Sequence, residues 1–378
     1  MIKRIIIILF LVFSLSGCVQ SKTIERLGII NTRGVDLRDD NEIEATMVIY
    51  KFDLETKNIS EIITGTGHTV KDARENANLK TGIQLASGQI NLELYGVEVA
   101  EQGLMRQIDT LVRDARVSDT MLLAVGNPTA SEIINTSEKN VGTNVGQYLH
   151  DIIQQNIKTD VLSRVTLQDF MHMYYDAGHD PFLPTITITE QKPTITALAL
   201  FKNDKLVGQI PIEKAYQIAI FNKKIKSVAL EFPIPTKPFE KYMKKDDYND
   251  IDSDTFYALF TALKGTSKTK MTDVKNLHYQ TDITLKLSLH ELTKEINVKG
   301  PEVIKLLEKQ VEKEITHQYE ELLTKLKKLN SDPFGYGSIY RTNKADGKLK
   351  KSEWHDKFPD IEVDFNVNVK IIRHGTIP

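Results

Sequence analysis

Two segments in the last hundred residues alternate apolar and polar side chains with a period of two. Ile283, Leu285, Leu287 and Leu289 interleave with Thr284, Lys286, Ser288 and His290, and Ile361, Val363, Phe365, Val367, Val369 and Ile371 interleave with Glu362, Asp364, Asn366, Asn368 and Lys370. Successive strand side chains point to opposite faces, so each segment predicts a strand with one buried face. Between them Ile304, Leu307, Val311, Ile315, Leu322, Leu326 and Leu329 recur at helical spacing. That stripe predicts one long amphipathic helix with Lys and Glu on its outer side. A helix laid on an antiparallel or mixed sheet accommodates all three parts.

Toward the N-terminus the period switches repeatedly between strand and helix. Arg26 to Ile30 and Ala45 to Phe52 predict strands, and Thr69 caps a helix that runs from Val70 through an Ala73 and Ala77 face. "INLELYGVEVA" and "TMLLAVG" predict strands; "GLMRQIDTLVRDARV" between them puts Leu104, Ile108, Leu111 and Val112 on one helical face. Asn127-Pro128 sets a cap residue before a proline at the first helical position, with the helix running through Ile133. Two further helices carry Val145, Tyr148, Leu149, Ile152 and Ile153, then Leu167, Phe170, Met171 and Tyr174, the second stopped by Gly178. The Asp180-Pro181 and Leu183-Pro184 steps hold the chain extended and mark the exit from a first domain.

A new unit opens near Ile195, where "ITALALF", Lys202 to Lys205 and "LVGQI" predict a hairpin. A helix over Glu213 to Ile220 and a strand over Ser227 to Phe232 follow, then an exposed Lys-, Asp- and Asn-rich loop between Thr236 and Thr255. The expected fold class is mixed α/β in three small domains, with mixed or antiparallel sheets packed by helices. These are an N-terminal domain over 18–193, then a C-terminal region over 194–378. That region comprises a middle domain at about 194–240 and a C-terminal domain at about 255–378 that holds the long helix.

The first residues follow a different logic. Lys3 and Arg4 precede an unbroken apolar run from Ile5 to Phe13, the layout of a signal peptide over residues 1–17. The run is far short of the roughly 20 residues that a spanning helix needs. It ends in Leu15-Ser16-Gly17-Cys18, which holds the single cysteine of 378 residues, so no disulfide can form within the chain. Those four residues match the lipobox of bacterial lipoproteins. The match implies cleavage between Gly17 and Cys18, a diacylglyceryl group on the Cys18 thiol, and Val19 to Glu25 as a short tether. Two or three acyl chains anchor a protein stably, where one binds only marginally. A net charge of −2, from 49 basic and 51 acidic residues, argues against a nucleic-acid binder and against a strongly polybasic membrane-surface protein.

Candidate chemistry elsewhere is thin. "HMYYDAGHD" clusters His172, Asp176, His179 and Asp180, with His172 and Asp176 on one helical face. A zinc site needs three or four convergent ligands, and a helix end whose His and Asp satisfy terminal groups is the favoured reading. "GTGHTV", Gly65 to Val70, lacks the remaining residues of a phosphate loop and is better taken as a strand-to-helix turn. Arg113-Asp114 suggests an ion pair at a helix terminus, with a partner contact as the alternative. In "SDPFGYGSIYR", Gly335 and Gly337 suggest backbone conformations that other residues resist, while Phe334 and Tyr336 either pack inward or form an exposed aromatic patch. No G-x-S-x-G elbow occurs, and neither catalytic residues nor a cofactor or metal are expected.

Taken in order, the landmarks resemble the Ger(x)C family of spore germination lipoproteins, the C subunits of nutrient germinant receptors. The resemblance rests on the lipobox at Cys18, "RLGIINTRGVDL", "TGTGHTVKDARENA", "YGVEVAEQGLMRQIDTLVRDARV" with "LLAVGNPTASEII", "GHDPFLP", "ALALFKNDKLVGQIP", "SDPFGYGSIYR" and "WHDKFPDIEVDFNVNVKI". Two places depart from it. Val19-Gln20-Ser21 stands where many members carry a tryptophan and charged residues, and Lys241 to Asp254 has the look of an insertion. The resemblance implies three α/β domains, no catalysis, and a lipid anchor at Cys18 on the extracytoplasmic side of the inner spore membrane. It also implies integral-membrane A and B type subunits as partners, with no nucleic acid. A solute-binding lipoprotein of an uptake system is the alternative, and a surface enzyme a third. The solute-binding reading requires two βαβ lobes around a cleft, a pattern that the last hundred residues do not repeat.

Overall fold

A computed structural model describes residues 27–38, 41–50, 60–141, 144–243 and 254–373. The signal segment with Gly17 and Cys18, the tether to Glu25, and residues 244–253 of the Lys- and Asp-rich stretch lie outside the described residues.

Strands β1 (Leu27–Leu37), β5 (Leu92–Gly96) and β6 (Leu122–Asn127) run parallel at the middle of a sheet that has nine strands among the described residues. All five residues of β5 and five of six in β6 are buried. Parallel strands covered on both faces read as continuous apolar runs rather than alternation, which is why "LLAVG" has no polar face. β2 (Ile43–Tyr50) and β3 (Ser60–Gly67) extend the sheet antiparallel on one side, and the short β4 (Gln84–Ala86) also pairs with β1. On the other side β7 (Phe182–Thr189) lies parallel to β6, followed by the antiparallel β8 (Lys192–Lys202) and β9 (Lys205–Pro211). Helices α1 (Val70–Asn78), α2 (Val97–Gln102), α3 (Met105–Val112), α4 (Ala130–Val141), α5 (Val145–Lys158) and α6 (Leu167–Tyr175) make the connections.

The second sheet has the order β10 (Ala229–Pro235), β11 (Thr255–Asp273), β12 (His278–Leu292), β13 (Glu362–Arg373). Its first three strands are antiparallel, and β13 returns parallel to β12 through α8 (Pro301–Leu329), α9 (Tyr336–Asn343) and α10 (Lys351–Lys357). The alternation predicted for β12 is present, with Ile283, Leu285, Leu287 and Leu289 buried. Leu307, Val311, Ile315, Leu322 and Leu326 of α8 are buried, and Ile304 and Leu329 pack partly against the same core. Glu308 and Glu312 of α8 accept the β13 amides of Ile371 and Val369 at 2.8 and 2.9 Å, so helix carboxylates occupy two donors of that edge strand.

The mixed α/β class is as expected, but the middle segment is divided between the sheets. β8 and β9 pair onto β7 and complete the first sheet, while β10 opens the second; α7 (Tyr216–Asn222) stands between. Ala197 to Phe201 are all buried, a five-residue run that needs cover on both faces and therefore continues the first core. The Pro184 segment, expected as a domain exit, is an interior strand. Its ladder with β6 begins only at Thr185, so Pro184 owes no donor on that side. Pro128 is not the first residue of its helix either: Asn127-Pro128 is a cis peptide, and Thr129 caps α4 by accepting the Glu132 amide at 3.1 Å. Val112, placed on the apolar face of α3, is half exposed.

Candidate functional site: a polar junction between the two sheets

Stretches far apart in sequence converge where the end of α6 meets the C-terminal unit. Asp176 caps α6, and its carboxylate accepts the Gly178 amide at 2.9 Å and both guanidinium nitrogens of Arg341 at 3.1 and 3.2 Å. Burial pushes the Asp176 carboxyl up, but the Gly178 amide, Ser338 and the Arg341 charge outweigh it and leave its pKa below the usual range. The Nε2–H of His179 donates to the Pro333 carbonyl at 3.0 Å, and burial pulls that imidazole's pKa down. His172 faces solvent.

Asp180 is the centre of the junction and only 1% exposed. Its carboxylate accepts the Asn203 amide of the β8–β9 turn at 2.9 Å, the Asp332 amide at 3.0 Å and His355 Nε2 at 3.0 and 3.1 Å. Its own amide donates to the Asp332 carbonyl at 2.9 Å. Burial raises the Asp180 pKa, but these three donors reverse the balance and hold it low.

Asp332 follows the turn that ends α8, where Asn330 takes a left-handed conformation at φ 53°. Its carboxylate accepts the Gly335 amide at 2.9 Å and the Gly337 amide and Trp354 Nε1 at 3.0 Å each. Complete burial and the neighbouring Asp180 charge push it to about 7 despite those donors. Trp354 is fully buried, stacked with Tyr340 at 5.7 Å between centroids. Ser331 ties the same turn to β8 by donating to the Phe201 carbonyl at 2.6 Å. Lys351 of α10 lies over the Tyr174 ring, 4.6 Å from its centroid, and burial lowers its pKa.

Two glycines let the backbones touch. A Cβ on Gly178 would sit 2.1 Å from the Gly337 carbonyl carbon, and a Cβ on Gly337 would sit 2.5 Å from Gly178 Cα and 2.6 Å from the Trp354 ring. The Ser338 amide donates across this contact to the Gly178 carbonyl at 3.1 Å. Gly335 has the expected left-handed φ of 76° as the cap of α9, whereas Gly337 is required for space rather than for φ. Phe334 and Tyr336 pack inward, with Phe221 stacked on Phe334 at 4.1 Å and Tyr336 edge-on to Tyr279 at 4.9 Å.

The "HMYYDAGHD" residues thus part company: Asp176, His179 and Asp180 each bind the C-terminal unit, and they do not converge on a common point. Among the described residues no group of three or more His, Cys, Asp or Glu is placed to hold a metal. Arg113 and Asp114 do not pair with each other. Arg113 reaches Asp109 at 2.9 Å and Asp114 reaches Arg116 at 2.7 Å, each pair largely exposed on its arginine side. At "GTGHTV" the Thr69 hydroxyl accepts the Asp72 amide and the Asp72 carboxylate accepts the His68 amide, so the chain's own acid occupies the start of α1. Asp332, Arg341, Trp354 and His355 are the residues sequence reading missed. Asp332 lies 152 positions from Asp180, and the only signal was that their segments all belonged to the recognisable strings.

A second polar feature lies inside the first sheet. Arg33 of β1 and Glu93 of β5 form a buried pair at 2.8 Å, with side chains 6% and 0% exposed. Asp36 accepts the Ala130 and Ser131 amides at 2.8 and 2.7 Å, which fills the N-terminus of α4 with a carboxylate. Beside it a cleft of about 620 Å³ is lined by acidic Glu44, Glu98 and Glu132 together with Arg38.

Comparison with known proteins places these features in a family. The family model for the spore germination protein N-terminal domain matches residues 20–188, and the model described as spore germination B3/GerAC like, C-terminal, matches residues 196–375. Spore germination protein GerQC of Bacillus cereus is 23% identical over 99% of both chains. Spore germination protein KC of Bacillus subtilis (strain 168) is 21% identical over 98% of this chain and 95% of its own length. The crystal structure of the GerBC protein shares the fold at a TM-score of 0.56 and 15% identity, covering 93% of this chain and all of that one. On these matches the chain belongs to the Ger(x)C family of spore germination proteins.

Proposed function

We propose that the protein is the lipid-anchored C subunit of a nutrient germinant receptor, acting by protein–protein assembly on the outer face of the inner spore membrane. The observation that carries this reading is the pair of germination family models over 20–188 and 196–375, preceded by Leu15-Ser16-Gly17-Cys18. Signal cleavage after Gly17 and acylation of Cys18 supply the anchor, since no described helix is long and apolar enough to cross a membrane. Confinement to the membrane plane raises the protein's effective concentration beside the integral A and B type subunits. The buried junction supports the same reading. Its three carboxylates, Asp176, Asp180 and Asp332, are spent on donors of the same chain, which suits a body of fixed shape that presents surfaces to partners.

The test has two arms. Spores lacking the gene should lose germination on at least one nutrient, and restoring the gene should recover it. Cys18→Ala should release the protein from the membrane fraction and fail to restore. Normal germination of the deletion on every nutrient, with no second copy of the gene present, contradicts the reading. The cleft beside Asp36 gives the solute-binding alternative a place, and calorimetric titration of amino acids and sugars decides it: saturable binding favours that alternative.

A further inference from the structure

The open face of the second sheet carries a charge pattern that neither the junction nor the family match uses. α8 covers one face, where Tyr279, Ile283, Leu285 and Leu287 are buried; on the other face Thr284 and Lys286 are exposed. The strand register sets lysines directly opposite one another there. Lys264 of β11 faces Lys286 of β12, and Lys286 faces Lys370 of β13. Lys226 follows Ile225, which bridges to Gly265, and so extends the row across β11. Lys268 and Lys270 stand farther along β11. All six are exposed, and of the six only Lys370 has a carboxylate within 4.0 Å among the described residues, Glu308 at 3.6 Å. Five acids share the face, Glu231, Asp282, Glu291, Glu362 and Asp364, none of them at the register of Lys264, Lys286 and Lys370. Asp282, opposite Lys268, accepts Gln280 and Asn366, and Asp364 lies 3.4 Å from His278 toward the far end.

Like charges directly opposite across strands destabilise a sheet, and the acids of this face stand at other registers than the lysine row. A row of lysines set opposite one another on a chain of net charge −2 is therefore a local feature that costs stability. The face is broad and solvated, with strands about 4.8 Å apart, so four lysines form a front of roughly 15 Å. Such a front fits a planar anionic surface, and a basic patch is the kind of second signal that strengthens a lipid anchor.

We propose that this lysine-bearing face rests on anionic phospholipid headgroups and so fixes which side of the protein faces the membrane. The proposal rests on the membrane location proposed above but not on acylation. It is tested with the full-length Cys18→Ala chain by flotation with vesicles of phosphatidylglycerol and phosphatidylcholine, against pure phosphatidylcholine. Binding should be stronger to the anionic vesicles and weaken in high salt. Replacing Lys264, Lys268, Lys270 and Lys286 with Gln should abolish that preference, at about fivefold per lysine. Replacing Lys305, Lys309, Lys313 and Lys328 of α8 with Gln removes the same charge and should leave it intact. Equal loss in both variants, or no anionic preference in the parent chain, overturns the proposal. So does a row variant that keeps vesicle binding but loses a receptor subunit, which would make the partner an acidic protein. Fractionation of the wild-type chain reads the Cys18 anchor separately, so either idea fails without the other.

Discussion

Two buried polar clusters do different work. Arg33 and Glu93 join neighbouring strands of one sheet, so their loss strikes a single core. Asp180, Asp332, Trp354 and His355 join the end of one sheet's last crossover helix to the turn and helices that lead into β13 of the other. The first pair is simple, one cation with one anion. The second sets two carboxylates against each other and resolves them unequally, with Asp180 held ionised by His355 and Asp332 pushed up toward neutrality. A joint built this way makes the stability of the contact between the two sheets depend on pH.

The largest effect expected in this comparison comes from Glu93→Ala. It leaves Arg33 buried and unpaired and should destabilise by about 3–5 kcal/mol in denaturant unfolding. Hydrogen exchange should then rise in β1, β5 and β6. Gly337→Ala forces a methyl group into Gly178 and Trp354, and should cost about 1–3 kcal/mol. Its exchange should rise around α9 and α10 while β5 stays protected, and an effect centred on β5 would erase the distinction between the clusters.

Asp332→Asn should cost about 1–3 kcal/mol, because the amide cannot accept from Gly335, Gly337 and Trp354 together. Its pH signature is the sharper readout. With a folded pKa near 7 and an ordinary value of 3.8, Asp332 binds more protons folded than unfolded between those limits. Stability from this group is therefore full at low pH and declines as pH rises from about 4 to 7. Asp180 has the opposite sign: its low folded pKa gives stability above its ordinary 3.8 that is lost as pH falls. Unfolding midpoints across this range should lose the Asp332 decline in the Asn variant, and an unchanged slope would refute the assignment. The smallest effect is Lys286→Gln, which relieves the lysine row and should raise stability by about 0.2–1 kcal/mol.

The elements with clean periodicity were legible in the sequence: β12, β13, α8 and the capped α1 stand where spacing predicts them. Local chemistry was legible too, as at Thr69 and the Asn203 turn. What escaped depended on distant neighbours. β8 takes its place from cover on both faces, which a hairpin pattern does not reveal. Pro184 sits in an interior strand because pairing on one side starts a residue later. "HMYYDAGHD" announced titratable groups, but their partners Arg341, Pro333, Asp332 and His355 are supplied by a turn and helices more than 150 residues away, and no period encodes that meeting. Gly337 was suspected for its φ and matters instead for the closeness of Gly178.

The junction claim is tested most directly by hydrogen exchange on Asp180→Ala against the wild-type protein. Removing this carboxylate orphans His355 and the amides of Asn203 and Asp332 at once. Exchange is predicted to rise together at residues 176–180, 203 and 331–357, with β1, β5, β6 and β12 still protected. A rise confined to one side of the junction, or uniform loss across both sheets, would contradict the account.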